Sequence, residues 1–178
     1  NLKIVCFDTL NWIGNGQLIP AGPLRESLNS LKRYDVVILK NISKRNIQIT
    51  KLIKKINDKI KIYNTEYIIK NKNEFNLKKN YLTFSGIGNP ESFNFLLKKN
   101  KFKIIENYNF PDHYEYSNDQ INKIIKRANE LNAQIITTEK DFTKIPKYFH
   151  NKINFIDIDL KIDQFNNFKK FIKEKIHE

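Results

Sequence analysis

The sequence has no methionine, one cysteine and one tryptophan among its 178 residues. A single cysteine cannot form an intrachain disulfide or a cysteine-based metal site, and it fits a reducing compartment. Cys6 lies in the apolar run LKIVCF, where we expect it to pack as a small buried hydrophobe. Because the chain starts at Asn1 without methionine and without a signal peptide, we expect it to be part of a longer protein.

Long apolar runs and phosphate-loop motifs are also missing. No apolar run approaches the roughly 18–20 residues that a membrane-spanning helix needs, so we expect a soluble or peripheral protein. The pattern G-x-x-x-x-G-K-[ST] does not occur. If the chain takes part in ATP chemistry, the cradle for the triphosphate therefore lies outside these residues.

Basic residues are in excess, with 32 Lys and Arg against 19 Asp and Glu and a net charge of +13. Such an excess favours contact with phosphate groups on nucleic acid, nucleotide or lipid. The lysines are spread along the chain, however, and solvated helix faces explain most of them equally well.

Apolar periodicity predicts alternating strands and helices. The runs predicted as strands, rich in Ile, Val, Phe and Tyr, are residues 2–7, 35–39, 61–69, 81–84, 102–107, 133–138 and 153–160. Helical stripes occur over residues 49–60, 93–97, 121–131 and 165–176. Asn89 before Pro90, and Ser117 three residues before Gln120, are typical of helix starts. This order predicts an α/β fold with a mostly parallel sheet.

Glycine and proline are scarce, with five of each, yet three glycines and two prolines fall in the segment GNGQLIPAGPLRE, residues 14–26. Glycine allows backbone torsions and close approaches denied to other residues, and proline stiffens the path. Arg25 and Glu26 leave this constrained segment, and arginine binds phosphate through a bidentate fork. By itself the segment is equally consistent with a structural crossover that carries a surface Arg-Glu pair.

Three further segments follow predicted strands, at whose carboxyl ends α/β proteins bind ligands. In FSGIGNPESF, Gly86 and Gly88 precede a helix start that could bind an anion, although a tight turn explains them as well. In NFPDHYEYSNDQ, Asp112 and His113 lie in a loop, where histidine can act as acid, base or phosphate contact or be an incidental surface residue. In TTEKDFTKIP, a charged cluster follows a strand directly, which an ion-paired helix start also explains.

Taken in this order, the motifs GNGQLIPAGPLRE, GIGNPESF, FPDHYEY and TTEKDF resemble the successive signatures of the tetraacyldisaccharide 4'-kinase family of lipid A biosynthesis. The resemblance covers essentially the whole chain. It departs at Ser27, where the family usually has a proline, which loosens a turn without removing a functional group. The resemblance implies a two-lobed α/β fold related to P-loop NTPases. This chain would be its C-terminal portion, and upstream residues would supply the phosphate loop and an aspartate base.

The resemblance also implies a division of the chain. We expect residues 1–35 to form the end of the ATP-binding lobe and the crossover. Residues 36–155 would form a smaller second α/β lobe, and residues 156–178 a hinge strand and a C-terminal helix.

The activity implied is transfer of the γ-phosphate of ATP to the 4'-hydroxyl of a tetraacylated glucosamine disaccharide 1-phosphate. ATP and Mg²⁺ would be the cofactors, with no metal ligand assigned on this chain. The partners would be the lipid A precursor and an anionic membrane surface, with neither nucleic acid nor an obligate protein partner. The protein would be cytoplasmic and peripheral on the inner membrane of a Gram-negative-type bacterium, and this portion alone would be inactive.

Individual residues also take implied roles. Arg25 would contact phosphate oxygens, and Glu26 would help hold the nucleotide-metal assembly or orient Arg25. His113 would pair with an upstream aspartate that activates the sugar hydroxyl, with Asp112 and Tyr114 as supports. The residues expected to contact substrate or nucleotide are Asn15, Gly16, Gly86, Gly88, Asn89 and Lys140.

Two alternatives stay open. A basic α/β nucleic-acid-binding module without catalysis would explain the +13 charge and the aromatic content, but not four ordered motifs at strand ends. A dinucleotide-dependent enzyme could use Gly86 and Gly88, but the third glycine of that fingerprint is absent.

Overall fold

The computed structural model describes residues 2–40 and 46–177 of the chain. Its strands are β1 (Ile4–Asp8), β2 (Val36–Lys40), β3 (Lys61–Ile69), β4 (Asn80–Ser85), β5 (Lys103–Asn109), β6 (Ala133–Thr138), β7 (Ile153–Ile156) and β8 (Ile158–Ile162). The α-helices are α1 (Asn46–Ile56), α2 (Pro90–Lys99), α3 (Asn118–Glu130), α4 (Glu139–Phe142) and α5 (Phe165–His177). Short 3-10 helices span Leu28–Arg33, Lys72–Glu74 and Lys147–Phe149.

The described strands form two four-stranded sheets, in the orders β1-β2-β3-β8 and β5-β4-β6-β7. β1, β2 and β3 pair in parallel, and so do all neighbours of the second sheet. The prediction of an α/β fold with mostly parallel strands is therefore confirmed. Both predicted helix starts are also confirmed, since Asn89 accepts from Ser92 N and Ser117 forms a full capping box with Gln120.

The chain divides into two compact units. The first contains the residues up to Tyr67 and those from Leu160, and the second contains Ile68–Asp159. The predicted second lobe began at residue 36, whereas β2 pairs with β1 and β3 pairs with β2, and β2 and most of β3 lie in the first unit. The assignment of an ATP-binding lobe and a second lobe stays a prediction.

The second unit has hydrophobic clusters that follow from the alternation of side chains along β4. Leu82 and Phe84 pack with the buried stripe of α3, whereas Tyr81 packs in another cluster with Phe93 and Leu97 of α2. Because successive strand residues face opposite sides of a sheet, β4 is buried on both faces. In the first unit, Val37 and Leu39 of β2 pack with residues of α1 and of the first 3-10 helix.

Two predictions about local structure were wrong. Residues 153–160 were predicted as one strand, but the strand is interrupted at Asp157, where Asp157 N donates to Asn71 Oδ1 at 3.0 Å and Asp157 O accepts from Lys70 N at 2.8 Å. β7 and β8 therefore join different sheets. Cys6 is exposed, because alternation along β1 turns Val5 and Phe7 toward the core and leaves Cys6 on the other face.

Among the described residues, every helix is too short or too polar to cross a membrane.

Candidate functional site

The carboxyl ends of β4, β5 and β6 carry three of the four motif segments. Because these strands are parallel neighbours, the turns that follow them lie along one edge of the second sheet. Phe110 N donates to Ser85 O at 2.8 Å, and Thr137 Oγ1 donates to Phe84 O at 2.8 Å. These hydrogen bonds connect the strand exits, that is, the points where the chain leaves β4, β5 and β6. The fold thus groups the predicted residues Gly86, Gly88, Asn89, Asp112, His113, Tyr114 and Lys140 at one sheet edge.

The turn after β4 is closely packed against the loop after β5. A Cβ atom on Gly86 would lie 2.9 Å from Tyr116 Oη, closer than real Cβ atoms come, and 3.1 Å from Tyr114 Cβ, a tight contact. A Cβ on Gly88 would lie 3.3 Å from Asp112 Oδ2. Close packing therefore explains the glycine at position 86.

Asp112 and Lys140 form an ion pair next to His113. Lys140 Nζ donates to Asp112 Oδ1 at 2.9 Å, and the His113 backbone N–H donates to the same oxygen at 2.9 Å. The hydrogen bond from Lys140 is the main reason why the pKa of Asp112 lies below its ordinary value. The carboxylate is therefore ionised near neutral pH and fixes the backbone at His113.

The imidazole of His113 projects into solvent, with 78% of the side chain exposed. The residue has a positive φ of 61°, a left-handed conformation that is uncommon for a side chain other than glycine. Its Nε2 lies 3.8 Å from Asp112 Oδ2, beyond hydrogen-bond distance. The loop thus presents an accessible histidine beside a fixed carboxylate, an arrangement that can accept or donate a proton.

Tyr114 is held in place by neighbours on three sides. Its ring stacks on Phe110 with centroids 4.8 Å apart, and its hydroxyl accepts from Gln120 Nε2. Lys144 Nζ donates to the Tyr114 carbonyl at 3.1 Å. Tyr114 therefore anchors the loop on the side that follows His113.

Asp141 is the site residue to which sequence reasoning gave no role. The charged cluster in TTEKDF includes it, but only the structure reveals that it is fully buried, with 0% exposure. Thr138 and Asp141 form reciprocal bonds, 2.6 Å from Thr138 Oγ1 to Asp141 Oδ2 and 3.1 Å from Asp141 N to Thr138 Oγ1. The three-residue spacing of Thr and Asp is typical of a helix start and was the one signal available.

The segment 14–26, in the first unit, is folded back on itself. Asn15 Nδ2 donates to Ala21 O at 2.8 Å, and Gln17 N donates to Asn15 Oδ1 at 3.1 Å. Gly16 has a positive φ of 75°, and a Cβ on Gly22 would lie only 2.2 Å from Asn15 Oδ1. The Asn15 amide predicted to contact ligand is therefore engaged within the loop.

Arg25 and Glu26 leave this loop in different environments. Glu26 pairs with Arg33, with Glu26 Oε2 and Arg33 Nη2 2.8 Å apart, and also accepts from Tyr34 Oη at 3.2 Å. The hydrogen bond from Arg33 is the main reason why the pKa of Glu26 lies below its ordinary value. Within the described part of the chain, Arg25 is exposed and makes neither an ion pair nor a side-chain hydrogen bond. Its guanidinium is available for an anion.

Both residues border a pocket of about 390 Å³ in the first unit. Its lining also includes Cys6, Asp8, Trp12 and Tyr34. Over residues 2–40 and 46–177, no cluster of three or more His, Cys, Asp or Glu could hold a metal ion. Glu26 contributes a carboxylate to this pocket, and that carboxylate is paired with Arg33.

The chain is similar to a family of known activity and to curated members of it. The family described as Tetraacyldisaccharide-1-P 4'-kinase (LpxK) matches residues 1–177. The tetraacyldisaccharide 4'-kinase of Pelagibacter ubique is 46% identical over 97% of this chain and 55% of its own length. That of Rickettsia typhi is 36% identical over 92% of this chain and 49% of its own length.

A solved structure also matches, that of LpxK from Aquifex aeolicus in complex with ATP, with a TM-score of 0.61. It is 23% identical and the match covers 97% of this chain and 52% of that protein, so it supports the fold alone. The chain spans about half the length of the curated relatives it matches.

Proposed function

The chain belongs to the tetraacyldisaccharide-1-P 4'-kinase family, and from this we propose that it is part of an enzyme that phosphorylates a lipid A precursor. The reaction proposed is transfer of the γ-phosphate of ATP to the 4'-hydroxyl of a tetraacylated glucosamine disaccharide 1-phosphate. The observation that carries the proposal is the 46% identity over 97% of the chain with a curated kinase of this name. Nothing in the comparisons favours the nucleic-acid-binding alternative.

In the first unit, we assign phosphate binding to Arg25. Phosphoryl transfer depends mainly on positioning and charge stabilisation, and a guanidinium matches two phosphate oxygens at once. The available guanidinium of Arg25 and its place at the pocket rim support this role. Glu26 would ligate the Mg²⁺ that accompanies ATP, and this ion, when bound, neutralises phosphate charge. Gly16 would contact the nucleotide through its backbone.

In the second unit, we assign proton handling to His113. The Asp112 carboxylate fixes the backbone of the loop, and its Oδ2 lies 3.8 Å from His113 Nε2, so the accessible imidazole stands beside a carboxylate. We propose that His113 acts at the acceptor hydroxyl together with an upstream aspartate, with Tyr114 as support. Lys140 and the turn from Gly86 to Asn89 are proposed as contacts for substrate or nucleotide.

The partner proposed for the first unit is an anionic membrane surface, because the substrate is a lipid. The basic face of α5 consists of exposed residues on one side of the helix: Phe165, Lys169, Lys170, Lys173 and Ile176. Phe165 and Ile176 are 55% and 68% exposed. Lysines beside exposed apolar groups suit a surface of anionic head groups, each lysine contributing ~1 kcal/mol. We propose that the enzyme works peripherally, at the cytoplasmic face of the inner membrane.

The test is a phosphoryl-transfer assay on the full-length natural protein with ATP, Mg²⁺ and the disaccharide 1-phosphate. We expect Arg25→Ala and His113→Ala each to lower turnover by at least ~100-fold, the scale of losing a transition-state contact. Lys123→Ala and Arg127→Ala, exposed residues of α3, serve as controls and should retain turnover. Near-normal turnover in both site variants would refute the residue roles, and no transfer by the wild-type protein would refute the function.

A further inference from the structure

The buried carboxylate of Asp141 links two strand exits at the edge of the second sheet. Its Oδ2 accepts from Gly86 N at 3.0 Å and from Thr138 Oγ1 at 2.6 Å. Gly86 follows β4 and Thr138 ends β6. Burial of a carboxylate is unfavourable unless it is hydrogen-bonded, so these bonds hold both exits in one geometry.

Lys144 connects Asp141 to the third exit, the loop that contains His113. Lys144 Nζ donates to Tyr114 O at 3.1 Å and lies 4.0 Å from Asp141 Oδ1. The attraction to the buried carboxylate restrains the Lys144 side chain. Because Lys144 donates to the Tyr114 carbonyl, the Tyr114 backbone is restrained as well. Asp141 therefore acts on the loop through Lys144 and the Tyr114 carbonyl, whereas Asp112 contacts the His113 backbone N–H.

The buried hydroxyl of Tyr116 also faces Asp141. Among the described residues, Asp141 Oδ1 and the hydroxyl of Tyr116 are buried and make no hydrogen bond of ordinary geometry, although the two groups interact with each other. Both lie beside Gly86, whose Cβ would be 3.2 Å from Oδ1 and 2.9 Å from the hydroxyl. Burial, and next the charge of Asp141, raise the pKa of Tyr116, so its hydroxyl stays protonated. The Asp141 carboxylate therefore also contacts the loop after β5 through the Tyr116 hydroxyl.

We infer that Asp141 is a positioning residue for the phosphoryl transfer proposed above: it fixes the turn at Gly86, the helix that carries Lys140 and the loop of His113 relative to one another. The inference rests on the proposed function only for its effect on turnover. The hydrogen bonds of Asp141 with Gly86 and Thr138 can be tested without measuring turnover.

The experiment uses Asp141→Asn in the full-length protein. Asn keeps the volume and an acceptor oxygen but removes the charge that restrains Lys144. We expect kcat to fall at least ~10-fold with KM for ATP changed less than ~2-fold, as for a group that acts only in the transition state. Asp163→Asn is the matched control, since Asp163 also accepts from a backbone N–H, that of Asn64 at 2.7 Å, but in the first unit. Turnover of the control should be retained.

A double-mutant cycle separates positioning from general destabilisation. If Asp141 acts through the His113 loop, Asp141→Asn should cost less than ~2-fold in the His113→Ala background, because coupled residues are not additive. An equal fold-loss in both backgrounds, or an unchanged kcat, overturns the inference. Should Asp141→Asn fail to fold, Thr138→Val removes one donor to the carboxylate and Thr138→Ser retains it. Lower kcat in the first with recovery in the second supports the inference, and equal kcat in both overturns it.

Amide hydrogen exchange at Gly86 and His113 tests the positioning role of Asp141 independently of phosphoryl transfer. If the wild-type protein transfers no phosphate, the proposed function is wrong, and the exchange rates of these two amides alone test the positioning role of Asp141. Faster exchange in Asp141→Asn by at least ~10-fold at Gly86 and His113, with the amides of β7 unchanged, supports the positioning role. Unchanged exchange at both amides overturns it.

Discussion

Among the five glycines, an added Cβ would make its shortest contact at Gly22, and Gly22→Ala tests the resulting steric constraint. A Cβ there would lie 2.2 Å from Asn15 Oδ1, 2.4 Å from Gln17 O and 2.8 Å from Gln17 C. The Asn15 side chain can swing away if it gives up its bond to Ala21 O. Gln17 cannot, because its carbonyl is backbone and accepts from Leu24 N at 3.2 Å. The loop must therefore open.

The magnitude follows from those contacts. Overpacking costs ~1–3 kcal/mol, and each hydrogen bond lost adds ~0.5–1.5 kcal/mol. The loop is exposed, so part of the strain relaxes locally, and we expect the folded loop to lose at least ~2 kcal/mol relative to its open form. That corresponds to roughly 30-fold faster local opening.

Amide hydrogen exchange measures this opening directly. In wild type, Ile19 N donates to Leu24 O at 2.9 Å, and this amide should exchange roughly 30-fold faster in Gly22→Ala. Turnover should fall as well, because Arg25 follows three residues later. Ala21→Ser, a change at an exposed neighbour, is the control. Exchange at Ile19 within about 2-fold of wild type would refute the steric argument.

Three further predictions concern the sheet edge and α5. Gly86→Ala should cost ~1–3 kcal/mol in denaturant unfolding, because its Cβ meets buried atoms, whereas Gly88→Ala meets an exposed carboxylate and should cost less; equal costs would contradict this. The pKa of Asp112 lies below its ordinary value, so its ionised carboxylate stabilises the fold at pH values above the unfolded-state pKa. This stabilisation is lost as the pH falls through the folded-state pKa. In an NMR titration the midpoint of Asp112 should therefore lie below 3.8. Lys140→Ala should raise that midpoint, and an unchanged midpoint would contradict the ion pair. Replacing the three lysines of the basic face with Gln should weaken binding to phosphatidylglycerol-containing vesicles on the order of 100-fold, a loss not expected with phosphatidylcholine vesicles. The control replaces Lys51, Lys55 and Lys59 with Gln. An equal loss of binding in the control would refute a specific membrane-binding face.

Much of the local structure could be predicted from the sequence because it depends on near neighbours. β3 and β6 have the predicted bounds, since Ile- and Tyr-rich runs between turn residues are typical of strands. The caps at Asn89 and Ser117 follow from spacings of three residues, which place a side-chain oxygen next to a free N–H. The ordered motifs also determined the family.

Pairing and burial at long range were decided only by the tertiary structure. An apolar run cannot indicate which sheet it joins, so the break at Asp157 depended on hydrogen bonds to Lys70 and Asn71, far back in the chain. Charge pairing has the same limit: Glu26 pairs with Arg33 and not with adjacent Arg25. The sequence by itself determined the elements, the glycine-rich loop and the family, because these depend on residues a few positions apart. Only the fold decided that Cys6 is exposed and that Asp141 is buried, because both depend on which residues distant in sequence cover them.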